Sequence, residues 1–88
     1  MIFISLVKDK EKATKEGIAK ANKLIEKMSK DGIKIHEAYW TLGRYDTVFI
    51  FEAPDEKAAM KAMLMAGDMV KSETLVAVPR KEAVRLLE

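Results

Sequence analysis

The chain contains no cysteine. That excludes disulfides, thiol nucleophiles and thiolate metal sites together. It contains no glutamine, and Asn22 is its one asparagine. With abundant Lys and Glu this resembles a thermophile composition, against which six methionines weigh mildly. His36 is the one histidine, so a multi-histidine metal site within a single chain is excluded. No metal and no cofactor are expected. No stretch is long and apolar enough to span a membrane. No basic stretch followed by an apolar run and a small-residue cleavage site opens the chain, so no signal peptide is expected and the expected location is the cytoplasm. Serine-nucleophile machinery, phosphate-binding loops and zinc motifs are absent as well.

What is present suffices for one domain over residues 1–88 with one core. Hydrophobic residues make up 49% of the chain, which rules out disorder. The net charge of +2 is unevenly spread. Residues 1–34 hold nine lysines and five acids, whereas residues 35–88 hold seven Lys/Arg and nine acids. The lysines between Lys8 and Lys34 have no aromatics among them on which bases could stack, so they read as a solvated helix face and no nucleic-acid partner is expected.

Periodicity yields seven elements. Met1 to Val7 is an apolar strand with Ile2, Ile4 and Leu6 opposite Phe3 and Val7. Lys8 to Lys12 is a charged connection. A helix over Ala13 to Ser29 carries Ile18, Ala21, Ile25 and Met28 on one face, with Thr14 as a candidate cap and Gly32 as the stop. Ile33 to Leu42 and Tyr45 to Ala53 are strands. Gly43-Arg44 between them suits a two-residue type II′ hairpin. Pro54-Asp55 starts a helix over Glu56 to Ala66, ended by Gly67. Met69 to Val78 is the fourth strand, and Pro79 opens a short amphipathic helix with Ala83, Val84 and Leu87 on one side.

The order β-α-β-β-α-β defines an α+β, ferredoxin-like fold with a short C-terminal helix and an antiparallel four-stranded sheet. Its first and third strands are then central, and they are the two that are apolar on both faces. Val48 and Ile50 point one way, Phe49 and Phe51 the other. Both helices cover one side, so the second side needs another cover. A second copy packed face to face makes a dimeric α+β barrel, and the expected partner is the chain itself, as a homodimer or higher homo-oligomer. Which of the two pairs meets the partner does not follow from the sequence.

The segment Tyr39-Trp40-Thr41-Leu42-Gly43-Arg44-Tyr45-Asp46, with Glu52-Ala53-Pro54-Asp55 and Ser72-Glu73-Thr74-Leu75, resembles the GYD domain family. Gly43, Tyr45 and Asp46 match its Gly-x-Tyr-Asp signature. The resemblance implies a dimeric α+β barrel and leaves the biochemical role unassigned. A similar hairpin occurs in the ligand-sensing domains of Lrp/AsnC-type regulators, though this chain has no room for their helix-turn-helix.

One short hairpin holds the histidine, the tryptophan, both tyrosines and an aspartate. His36, Trp40, Tyr45 and Asp46 are therefore the candidate ligand-binding residues, around a small, partly apolar molecule. Each has a plainer role. Asp46 accepts hydrogen bonds from amides near a turn, Tyr45 packs at a strand end and Trp40 suits a half-wet edge, and a lone edge-strand histidine is usually a surface residue. An unbulged strand puts His36 with Trp40 on one face and Glu37 with Ile33, Ile35 and Tyr39 on the other; a bulge would move Glu37 outward. The apolar run Ala58 to Ala66 calls for burial on more than one side. Its thioethers, Met60, Met63 and Met65, with Met69, lack the cysteine or nearby histidine that would support a Cu(I) site. Three functions fit: a stand-alone small-molecule binding or sensing domain acting as a homo-oligomer, a cofactor-independent enzyme of oxygenase or isomerase type as the barrel resemblance implies, or a structural interaction module. The sequence does not decide whether the chain is an enzyme.

Overall fold

A computed structural model describes residues 1–88. The elements are β1 (Ile2–Asp9), α1 (Lys15–Lys30), β2 (Lys34–Trp40), β3 (Thr47–Glu52), α2 (Glu56–Ala66), β4 (Val70–Ala77) and α3 (Arg80–Arg85). The sheet order is β2-β3-β1-β4, with every neighbouring pair antiparallel. This is the ferredoxin-like arrangement, with β1 and β3 central as their two-sided apolar pattern requires. No helix is long and apolar enough to cross a membrane.

Both long helices start on side-chain caps. Thr14 Oγ1 accepts from Gly17 N at 3.0 Å, and Asp55 Oδ1 accepts from Ala58 N at 2.9 Å. Each cap satisfies an amide that has no partner in the first turn. Lys27 and Lys30 in the last turn of α1 complement its C-terminal dipole. After α1 the chain reverses at Gly32, whose φ is +88°. A Cβ there would lie 2.8 Å from Pro54 Cγ, so glycine is required both by backbone angle and by space.

Register assigns every strand residue to a face. Phe3, Ser5 and Val7 of β1 pair with Phe51, Phe49 and Thr47 of β3 and point toward the helices. There Phe3 and Phe51 stack at 5.4 Å and join Met28, Ile33, Ala53, Ala59 and Ala62 in the core. Ser5 is fully buried, its hydroxyl 2.8 Å from Thr74 Oγ1 and donating to Met63 Sδ at 3.6 Å. On the other face Ile2, Ile4 and Leu6 run beside Val48 and Ile50, with Leu75 on β4, and no element of the chain lies over them.

Two expectations are corrected. The β2–β3 connection is not a two-residue turn. The strands stop at Trp40 and Thr47, and Thr41-Leu42-Gly43-Arg44-Tyr45-Asp46 forms a six-residue loop closed by Thr41 N donating to Asp46 O at 2.9 Å. Gly43 does take a positive φ of +110°, as a turn glycine should. The second correction is a bulge between Ile35 and Glu37, where His36 is the extra residue. The bulge shifts the alternation by one. Ile35 turns toward the helices with Phe51, while Glu37 and Tyr39 lie on the uncovered face, the Tyr39 hydroxyl 3.3 Å from Glu37 Oε2. The first strand also runs two residues further than its apolar stretch, through Lys8 and Asp9.

Candidate functional site

The two halves of α1 differ in how closely they meet the sheet. Met28 near its end is buried, Ala21 and Ile25 are half-buried, and Ile18 is 41% exposed. The first half of α1 thus stands off from the strands. A cleft of about 630 Å³ remains between them, with Ile18, Ala21 and Ile25 on the helix side and Ala38, Trp40 and Phe49 on the sheet side. Charged side chains of both signs line it, Asp9, Glu11 and Asp68 with Lys10, Lys12 and Lys20. A recess of about 410 Å³ continues from it along the β2–β3 loop, past Thr41, Leu42 and Asp46.

The loop is fixed to β1 by Asp46. Its amide donates to Val7 O at 2.8 Å, and its Oδ2 accepts from Asp9 N at 2.8 Å. The expected amide acceptor is thus present, but the amide belongs to a neighbouring strand instead of the turn. Thr41 Oγ1 donates to Tyr45 O at 2.8 Å and braces the loop from within. The Arg44 guanidinium lies 5.0 Å over the Tyr45 ring and donates to its hydroxyl at 3.0 Å. Burial and the neighbouring Asp46 charge hold the Asp9 carboxyl above its ordinary value near 3.8, against the opposing pull of Lys8. Lys8 Nζ is 3.9 Å from Asp46 Oδ2, a loose pair on exposed side chains.

Of the four candidate residues, the structure brings two together. Trp40 and Asp46 line the same recess. Trp40 is 75% exposed, an indole left standing at the mouth of the cleft. Tyr45 packs with Arg44 and is not among the cleft's lining. His36 does not share a face with Trp40, as an unbulged strand would have it. It sits on the bulge, its Nε2 3.4 Å from Glu52 Oε2, outside the cleft. Asp9, Ile18 and Phe49 were not picked out as site residues. The first looks like one charge in a charged connection and the other two like core. Nothing local marks the gap that their packing leaves.

The Met-rich helix does not gather its sulfurs. Met63 Sδ accepts from Ser5 and Ser72 on the sheet side, whereas Met60 is 63% exposed on another side of α2. Leu64, one turn on, is 75% exposed.

The fold and its signature loop define an α+β domain of the split β-α-β type. The chain belongs to the GYD domain family, whose model matches residues 1–87. Gly43, Tyr45 and Asp46, which resemble the family's Gly-x-Tyr-Asp signature, all lie in the loop that borders the cleft. Comparison with the curated proteins finds no match.

Proposed function

We propose that the chain is a small-molecule binding domain that works as a homo-oligomer, its ligand held in the cleft between α1 and the sheet. The observation that carries this reading is the exposed Trp40 above an apolar floor of Ala38 and Phe49. A cleft of about 630 Å³ falls within the range of small-molecule sites, which combine aromatic walls with a few polar groups. The ligand is partly apolar, with a polar end toward Asp46 and Asp9. His36 lies outside the cleft, so the His36–carboxylate pair that would favour an enzyme is not assembled there, and Asp9 and Asp46 are the titratable groups at the recess.

Surface area supports the oligomer. A compact monomer of 9.9 kDa exposes about 5,200 Å², whereas this chain exposes 6923 Å². The excess of roughly 1,700 Å² is more than the ~800 Å² that each partner contributes to an ordinary interface. The radius of gyration, 13.9 Å, likewise exceeds the ~12 Å of a compact chain of this length. The uncovered face, centred on the half-buried Ile4, Leu6, Val48 and Ile50, is the surface assigned to the second copy, which would take their remaining apolar area out of water.

The test is a thermal-shift screen of small molecules followed by titration of Trp40 fluorescence. A true ligand alters the emission. Ile18→Glu should abolish its binding with little loss of stability, and His36→Ala should leave binding unchanged. A ligand whose affinity ignores Ile18→Glu would remove the cleft from consideration.

A further inference from the structure

The short helix α3 has no visible reason to be helical in a single chain. Six residues are too few to hold a helix together in water without packing. None of them is buried, and Pro79 supplies no side-chain cap. Val84, Leu86 and Leu87 are exposed, and Val76 and Val78 just before the helix are exposed too. Arg80, Lys81 and Arg85 outnumber Glu82 on the same helix, so it is basic, and Val84 with Leu87 just past its end gives it one apolar side.

The cleft offers the complementary surface. Trp40, Leu42 and Ile18 present exposed apolar area around it. The acidic part is the recess by the β2–β3 loop, where Asp9, Glu11 and Asp46 stand with Lys12 and with Lys8 loosely on Asp46, whereas Lys10 and Lys20 balance the acids of the wider cleft. The chain's own α3 cannot lie there. Ile2 of β1 pairs with Ala77 and Asp9 with Val70, so β4 runs away from the Asp9 end of the sheet. Seven residue steps separate Ile2 from Asp9, about 24 Å along the strand. From Ala77 to the first residue of α3, Arg80, the chain spans ~11 Å at most. The helix therefore begins at the far end of the molecule from the cleft mouth.

We propose that α3 of one copy docks at the cleft of a second copy, with Val84 and Leu87 against Trp40 and Leu42 and its arginines facing Asp9 and Asp46. When two sheets stack on their uncovered faces, about 10 Å apart, a two-fold axis running across the strands carries the Ala77 end of one copy to the Asp9 end of the other, and the ~11 Å from Ala77 to Arg80 lets α3 pass around that end of the partner's sheet to its helix side, where the cleft opens. Each chain then closes the other's cleft. That lid role rests on the cleft being the ligand site; the docking itself does not.

Trp40, the one tryptophan, reports directly. The protein is unfolded, dialysed to remove small molecules, refolded, and checked by native mass spectrometry to be free of them. Docking predicts a blue-shifted Trp40 emission and acrylamide quenching several-fold weaker than for a free indole. Deleting residues 79–88, or the pair Val84→Glu and Leu87→Glu, should restore full quenching while far-UV circular dichroism stays native. Mixing the 79–88 deletion with full-length Trp40→Phe chains should re-shield the indole, because the helix comes from the other chain. Quenching that is equal in intact and truncated protein, whether strong or weak, overturns the proposal, as does a mixture that fails to re-shield. Shielding that appears only when a small molecule is bound, and equally without α3, supports the ligand reading and overturns the docking.

Discussion

Two faces of one hexapeptide, β3, meet opposite fates. Phe51 is 2% exposed beneath the helices, and its neighbour Ile50 is half-buried on a face with nothing above it. Both are large, apolar and central in the sheet. The difference is cover, which the chain supplies to one face only. The helix side is therefore a finished core, and the other side has the composition of a core without its second half.

The comparison can be broken most severely from the finished side. Phe51→Ala removes a stacked ring from the centre of the core, and a loss of about 3–5 kcal/mol is expected. For a chain this small, with total stability of order 5–10 kcal/mol, denaturant titration should find the variant close to unfolded. Ile50→Lys sharpens the contrast. It places a charge on the uncovered face, so the expected result is a chain that sediments as a monomer and keeps its circular dichroism. A variant that still sediments with the parent would mean that this face is not an interface. Phe49→Lys is a different experiment, because Phe49 points toward α1 and its loss attacks the fold.

Gly43→Val tests the loop that joins β2 to β3. No atom lies within 4 Å of a Cβ at that position, so crowding contributes nothing. A β-branched residue at a φ of +110° is strained by about 1–3 kcal/mol. A melting temperature equal to the parent's would contradict that backbone angle. The smallest effect is expected at Asp9. Its folded carboxyl titrates above the ordinary value near 3.8, chiefly through burial and then through Asp46. The folded state thus holds a proton more tightly than the unfolded chain, and the associated stability, present in acid, is lost as pH rises through the folded value. Asp9→Asn should raise the melting temperature at neutral pH, and the gain should vanish below the ordinary carboxylate range. An equal gain at both ends of a pH series would assign the effect to something other than charge.

The strands, both helices and their caps were legible because each leaves a local trace. Alternation in Ile2 to Val7 and Val48 to Phe51 names the faces, and Thr14 and Asp55 sit one residue before their helices. The bulge at His36 leaves no such trace. Lys34 to Tyr39 reads acceptably in either register, and only pairing with β3 decides it. The six-residue loop was hidden because Tyr45 looks like the start of a strand, while Asp46 spends its hydrogen bonds on β1. The cleft was not legible either. It arises because α1 is buried at Met28 and progressively less so toward Ile18, a gradient that the helix's own periodicity does not record.

The bulge at His36 also limits what these molecules can build side by side. A sheet edge with regular unpaired amides is a template for another strand. β2 presents such an edge, but the extra residue breaks its spacing and Lys34 adds a charge. β4 is the opposite edge, with eight residues in uninterrupted register. Endless side-by-side growth needs β2 of one molecule to zip onto β4 of the next, repeatedly. The bulge spoils that match in every repeat. Two β4 edges could still pair, but that contact uses the same strand of both molecules and closes on itself. The bulge thus works against edge-to-edge fibre growth in a chain whose other sheet face is open.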